Sequence, residues 1–348
     1  DAAQAALNHP TQTTPPMTAQ SPANAPDTVD SEYEDLLGQW SDLESALSVL
    51  LARPRSVQDF AFKLRQCDRW LQDLVAHDID AALYLMFQLA ATSSVGYSAA
   101  HALVCATLCH ILGHELRLPV QERDSLVRAA FTMNLAMTAL QDELAQQREP
   151  LTPAQRSAVD QHPRAGLDLL EELGISDELW LEVVGQHHTP QPEADALAGL
   201  SALERLTRIL GAIDRYAAMI SPRKSRAGRS ATDSVRAIVG QDADVRDEVG
   251  LTLVRTVGLC PPGTFVRLDN GETAIVLRRG ERANFPLVAS VVDAKGEPQS
   301  EPRLYHTERG QQRIQAALAR SAVTVELPYR TVVRLGLYAA QRSASVSG

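Results

Sequence analysis

The chain has 348 residues, enough for two or three domains of ordinary size, and its 45% hydrophobic content supports a sizeable buried core. Thirty-three basic against forty-three acidic residues leave a net charge of -10, which excludes a general nucleic-acid binder but leaves room for a local basic patch. Cys67, Cys105, Cys109 and Cys260 are too few and too scattered for a disulfide framework, and no apolar run reaches the ~18 residues of a membrane span. The polar N-terminus lacks the basic-then-apolar order of a signal peptide, so a cytoplasmic protein that does not engage membranes is expected.

Residues 1–30 carry five prolines among Thr, Gln, Ala and Ser, with almost no large apolar side chains, and are expected to be a disordered tail. From Tyr33 the texture changes. Leu43, Leu47, Leu50 and Leu51 recur at helical spacing, as do Leu64, Cys67, Leu71, Leu74 and Val75, and helical patterning continues to about Val257. Thr152-Pro153-Ala154-Gln155 offers an N-cap, a proline at the first helical position and a glutamine able to reach back. Ser201-Ala202-Leu203-Glu204 is a second capping box, opening a helix striped by Leu203, Leu206, Leu210, Ile213 and Ala217.

After Cys260-Pro261-Pro262-Gly263 the texture turns to strands. Thr264–Leu268, Thr273–Arg278 and Pro286–Asp293 are β-branched or alternating, with turn signals at Asp269-Asn270-Gly271, Arg279-Gly280 and Ala294-Lys295-Gly296. A small antiparallel β module of about 45 residues is expected. A short helix near Gln311–Arg320 should follow, then a final apolar segment, Val323–Tyr338, that suits either strand or helix. The fold class predicted is mainly α, a helical bundle with an N-terminal helical extension and a small C-terminal antiparallel β module.

Chemistry-bearing residues concentrate in the helical part. His187-His188 stands near a helix end before Thr189-Pro190, His162 precedes Pro163 one helix earlier, His101 starts an apolar helical run, and Asp214 lies beside the stripe of the Leu203–Ala217 helix. Imidazoles and a carboxylate converging from several helices of a bundle make a natural transition-metal site. Any one of them alone is more simply a hydrogen-bonded core side chain, and periodicity does not show that they converge.

The order and spacing of these residues resemble those of the HD-GYP domain over about residues 97–258. His101 takes the place of that family's first histidine. Leu151-Thr152-Pro153-Ala154-Gln155 leads to His162-Pro163-Arg164-Ala165-Gly166, then Gln186-His187-His188, then Arg208-Ile209-Leu210-Gly211-Ala212-Ile213-Asp214-Arg215-Tyr216-Ala217-Ala218-Met219. Pro262-Gly263-Thr264-Phe265-Val266-Arg267-Leu268-Asp269-Asn270-Gly271 is similar to the segment that often follows such domains. The resemblance implies an HD-superfamily helical bundle that hydrolyses cyclic di-GMP with two or three metal ions. With the composition and periodicity of the residues before it, the resemblance divides the chain into a tail (1–30), an N-terminal helical segment (31–95), an HD-GYP-like domain (96–258) and a β module (259–340) with a terminal helix or strand. It also implies His162, His187, His188, Asp214 and His101 as a residual metal set for Fe, Mn or Zn.

The departures carry as much information. The family's name-giving His-Asp pair aligns with Met133-Asn134, its following Lys with Met137, and its acidic residue before the first histidine with Tyr97. The Gly-Tyr-Pro segment aligns with Thr189-Pro190-Gln191-Pro192-Glu193-Ala194. Neutral Asn is a poor bridge between two cations, and a thioether is a soft ligand for hard metals. A two-metal platform activates water on one side and stabilises the leaving oxygen on the other, so losing the bridge argues against ordinary phosphodiesterase activity.

Ser221–Arg229 is the most basic stretch, and the resemblance places Arg223 and Arg226 where ligand phosphates are held; guanidinium forks suit phosphate. A solvated loop is the competing reading. His101, Cys105 and Cys109 recur at i, i+4 and i+8, with His110 and His114 similarly spaced, but zinc-knuckle spacing is absent and buried thiols are expected. The functional expectation is a degenerate HD-GYP-like pseudoenzyme in bacterial cyclic di-GMP signalling, acting as nucleotide sensor or as scaffold for a partner such as a diguanylate cyclase. The alternative is a weak or altered metal-dependent phosphohydrolase built on the residual histidines.

Overall fold

The computed structural model describes residues 25–92, 95–191, 196–221, 223–239, 247–282, 284–326, 331–332 and 334–337. The expected tail over residues 1–24, the Pro192-Glu193-Ala194 part of the Gly-Tyr-Pro alignment and Tyr338 lie outside them. Eleven α-helices precede five strands among these residues, a mainly helical chain ending in an antiparallel sheet.

The helices are α1 Ala25–Ala52, α2 Phe60–His77, α3 Ile79–Thr92, α4 Tyr97–Glu115, α5 Val120–Thr132, α6 Thr138–Gln146, α7 Pro153–Glu172, α8 Glu178–Gln186, α9 Ala202–Ile220, α10 Ala231–Val239 and α11 Glu248–Val257. Helix α1 begins five residues before the expected end of the tail. Helix growth is cooperative once a packed segment nucleates it, so the buried Leu36–Leu51 stripe carries the helix N-terminally into residues of little apolar content. Both capping boxes form as read. Thr152 accepts from the Gln155 amide while Gln155 accepts from Thr152, and Ser201 and Glu204 do the same for α9.

One apolar core runs from Leu36 through the helices into the inner face of the sheet. Helix α4 is its axis: sixteen of its nineteen residues, Ser98 to Gly113, are buried. That enclosure explains why its hydrophobic pattern lacks a polar face.

The strands are β1 Phe265–Leu268, β2 Thr273–Arg278, β3 Leu287–Val292, β4 Pro298–His306 and β5 Ile314–Leu318, in the antiparallel order β4-β3-β2-β1-β5. Ile275, Leu277, Leu287, Ala289 and Val291 face the helices, while Val266, Ala274, Val276 and Val288 close a smaller cluster on the opposite face with Cys260 and Leu268. The helix expected near Gln311–Arg320 is corrected to strand β5. Its Ala- and Gln-rich sequence suits a helix locally, but β1 would otherwise be an edge, and pairing Phe265 with Leu318 and Val266 with Ala317 satisfies its backbone. Of the Val323–Tyr338 segment, residues 331–332 and 334–337 are helical.

Two contacts fix the sheet on the helices. Gly263, at φ +88°, lies so close to α3 that a Cβ there would stand 3.1 Å from the Phe87 side chain and 3.2 Å from the Tyr84 carbonyl. Arg278 forks onto Asp78 at 2.8 and 3.1 Å, and Arg279 Nε donates to Asp80 at 2.8 Å. No helix among the described residues is long and apolar enough to cross a membrane.

Candidate metal and ligand site

Three helices build the site. His162 sits on α7 before Pro163, His187 is the C-cap of α8 with His188 beside it, and Asp214 projects from α9. Helix α8 is anchored to α5 by the indole N–H of Trp180, which donates to the buried Thr132 hydroxyl at 2.8 Å. Helix α9 comes close to α8 because residue 211 is glycine: a Cβ there would lie 3.0 Å from the His187 carbonyl oxygen. Both approaches set the distance between Asp214 and the histidines one turn away.

The five residues expected as one ligand set fall into two groups. His162, His187 and His188 offer ring nitrogens within 4.8 Å of one another, and His101 and Asp214 form a second trio with Cys105. In the first, His162 Nδ1 lies on the Val159 carbonyl and His187 Nδ1 on the Val184 carbonyl at 2.7 Å. A carbonyl oxygen only accepts, so both Nδ1 atoms carry the ring hydrogen and both Nε2 atoms keep lone pairs. Those two lone pairs face each other at 3.1 Å.

Such a meeting is repulsive unless a positive centre lies between. Burial pushes His187 down to about 3 and also lowers His162, so a shared proton is disfavoured at neutral pH. With His188 completing the trio, the donor set fits one divalent transition ion, each buried ring oriented by a backbone carbonyl as in protein metal sites generally.

In the second group, His101 Nε2 meets Asp214 Oδ1 at 2.7 Å and Cys105 Sγ at 3.6 Å. Burial by itself would raise the Asp214 carboxyl, but the His101 hydrogen bond and the charges of His101, His187 and His188 hold it well below the usual carboxylate range. Burial, with Asp214 and Cys109 nearby, pushes the Cys105 thiol far up. Tyr97 stacks on the His101 ring at 5.6 Å with 13° between planes.

The residues aligned with the His-Asp pair end α5. Met133 is buried at the C-cap, its carbonyl 3.7 Å from where a Cβ on Gly166 would stand, one turn beyond His162. Asn134 is partly exposed and caps the next short turn.

Arg223 and Arg226 pair through their backbones, but their side chains part. Arg223 donates to the Tyr97 hydroxyl from Nε (3.2 Å) and Nη2 (2.9 Å), its guanidinium 4.8 Å above the Tyr97 ring. Arg226 instead donates to the Ala218 carbonyl on an exposed face. The structure thus brings Arg223 beside His101, while Arg226 commits an Nη2 donor to the Ala218 carbonyl. His110 and His114 meet edge to face at 4.7 Å, apart from either trio. The Tyr97–Arg223 contact was invisible in sequence, since 126 positions separate the two residues.

Residues 83–247 match the family model of the HD domain, just under half of the chain, beginning in α3 rather than at residue 97. The chain is 27% identical over 196 residues to a cyclic di-GMP phosphodiesterase of Pseudomonas aeruginosa; the aligned region is 54% of this chain and 46% of that protein. The chain therefore spans about half the length of this curated relative. An HDG"Y"P protein of Bdellovibrio bacteriovorus has a similar solved structure, at 11% identity and a TM-score of 0.45, over 67% of this chain and 72% of that one.

Proposed function

We propose that the chain acts in cyclic di-GMP signalling by binding the dinucleotide as a sensor, without hydrolysing it. The observation that carries this reading is the pairing of an intact imidazole trio with a buried thioether at Met133 and a neutral amide at Asn134. The homology to a cyclic di-GMP phosphodiesterase supports the ligand; the altered residues support the loss of turnover.

His162, His187 and His188 would hold one ion, which when bound supplies a Lewis-acidic contact for a ligand phosphate oxygen. Val159 and Val184 carbonyls keep the two buried rings in the tautomer that presents Nε2. Arg223, held by Tyr97 beside the His101 ring, offers a guanidinium for a second phosphate contact. Asn134 carries no charge to bridge a second ion, so water is not activated opposite a leaving oxygen.

Calorimetry of the metal-reconstituted full chain with cyclic di-GMP tests the sensor reading. Saturable heat that weakens about tenfold or more in Arg223→Ala, matching loss of a charge-assisted phosphate bond, is expected. No heat in the wild type would leave a protein scaffold, for a diguanylate cyclase or another signalling partner, and overturn the sensor.

A further inference from the structure

We propose that the outer face of α1 and α2 is a self-complementary docking surface for a second copy of this chain. The two copies would be related by a two-fold axis parallel to the helices, so that each α2 lies on its partner's α1. The inference is independent of the nucleotide reading.

The inner sides of both helices are used up in the core, through Leu36, Trp40, Leu43 and Leu47 on α1 and Leu64, Leu71 and Leu74 on α2. The outer sides keep two large apolar residues, Val49 at 65% and Phe62 at 43% exposure. One such residue alone is ordinary, but these two stand at the same end of an α-hairpin, close to its turn at residues 53–59. Beyond them the charges are sorted by helix. Helix α1 contains no basic residue, and its outward row over the described residues includes the exposed Asp42. The exposed side of α2 carries Lys63, Arg65 and Arg69 against the single acid Asp73, since Asp68 is buried on Arg128. Asp42, Arg65 and Arg69 have no ion-pair partner among the described residues.

The axial spacing makes this face complementary to itself. Counted from the turn at ~1.5 Å per residue, Val49 and Phe62 both stand ~4 Å along their helices, Ser45 and Arg65 ~9 Å, Asp42 and Arg69 ~14 Å, and Gln39 and Asp73 ~20 Å. A two-fold axis parallel to the helices preserves these levels and exchanges α1 for α2. Phe62 then meets the partner's Val49, Arg65 the partner's Ser45 hydroxyl, Arg69 the partner's Asp42, and Asp73 the partner's Gln39 amide. Apolar faces apolar at one end, each charge faces an opposite charge or a dipole, and no like charges meet. Helix α2 is about 27 Å long, so a face two helices wide offers roughly 500 Å² per partner. That lies below the ~800 Å² of a standard interface and fits a reversible, micromolar association.

Sedimentation velocity of the full chain across micromolar concentrations should show a monomer–dimer equilibrium that moves toward monomer as salt is raised. Arg69→Glu and Asp42→Arg each set like charges together at both symmetry-related contacts and should raise Kd at least tenfold. Both positions are exposed, and thermal melts matching the wild type check that each variant folds. Mixed in equal amounts, the two variants should associate about as well as the wild type. In the mixed dimer the new carboxylate at position 69 faces the new guanidinium at position 42, while the native Arg69 of one chain faces the native Asp42 of the other. A wild type that stays monomeric, a dimer indifferent to either charge reversal, or a mixture that remains monomeric overturns the proposal.

Discussion

Exchanging His162 for glutamine tests the lone-pair conflict in the imidazole trio. The Gln amide reaches about where Nε2 stood and can turn its NH₂ toward His187 Nε2, replacing two facing lone pairs at 3.1 Å by a hydrogen bond. An unsatisfied buried polar contact costs about 1–3 kcal/mol, while losing the Nδ1 bond to Val159 gives back about 1 kcal/mol. Metal-free His162→Gln should therefore be more stable than metal-free wild type by about 1 kcal/mol, or ~1–2 °C in Tm for a chain of this length. With Zn²⁺ at a hundred times Kd, the wild type should gain about 2.7 kcal/mol through this trio and the variant much less, so the order of stabilities reverses. Paired thermal melts in chelator and in Zn²⁺ provide the assay. Lower stability of the metal-free variant, with equal metal gains in both proteins, would refute the reasoning.

Arg278→Ala removes the fork onto Asp78 and should cost about 2–3 kcal/mol in urea denaturation, with faster amide exchange in β2 and β3 as the sheet loosens from α3. Burial works against the Asp78 charge, but the Arg278 bond and charge outweigh it and hold its carboxyl below the ordinary value. The stability this pair adds should therefore be complete above the unfolded carboxylate pKa and fade as pH falls through the lower folded one; a wild-type minus Arg278→Ala difference that is flat across this acid range would contradict that. Burial, aided by the charges of His114 and Arg123, lowers His110 to about 4. The unfolded chain then binds the extra proton first, so stability should drop between about pH 6.5 and 4 by up to ~3 kcal/mol, a slope that His110→Leu should flatten.

Local signals made the helices legible. Thr152 and Ser201 mark α7 and α9 because capping is settled within four residues, and the apolar pattern stops with α11 at Val257 for the same reason. Strand β4 was harder to see: Pro298 and Pro302 and its polar residues suit an edge strand, tolerated there because one side of its backbone needs no partner in the sheet. Strand β5 was misread because its pairing with β1 is decided by residues about fifty positions away.

The site shows the same division. His162, His187 and His188 stand out by type and order, but the tautomers that make their Nε2 atoms collide depend on carbonyls of α7 and α8. Cys105 read as a buried thiol, which it is; its place beside Asp214 follows from the approach of α9 to α4, which helical spacing does not encode. Arg226 is a phosphate candidate by resemblance alone; the hydrogen bond of its Nη2 to the Ala218 carbonyl depends on how the chain folds back on α9, which rank along the chain does not encode.

Turnover of cyclic di-GMP by the anaerobically purified, metal-reconstituted chain tests the central claim most directly. Dinucleotide that is bound and recovered intact, even with excess Mn²⁺ or Fe²⁺, is the outcome expected of a site with Met133 and Asn134 in place of a bridging pair. Hydrolysis that disappears in His187→Ala would contradict it.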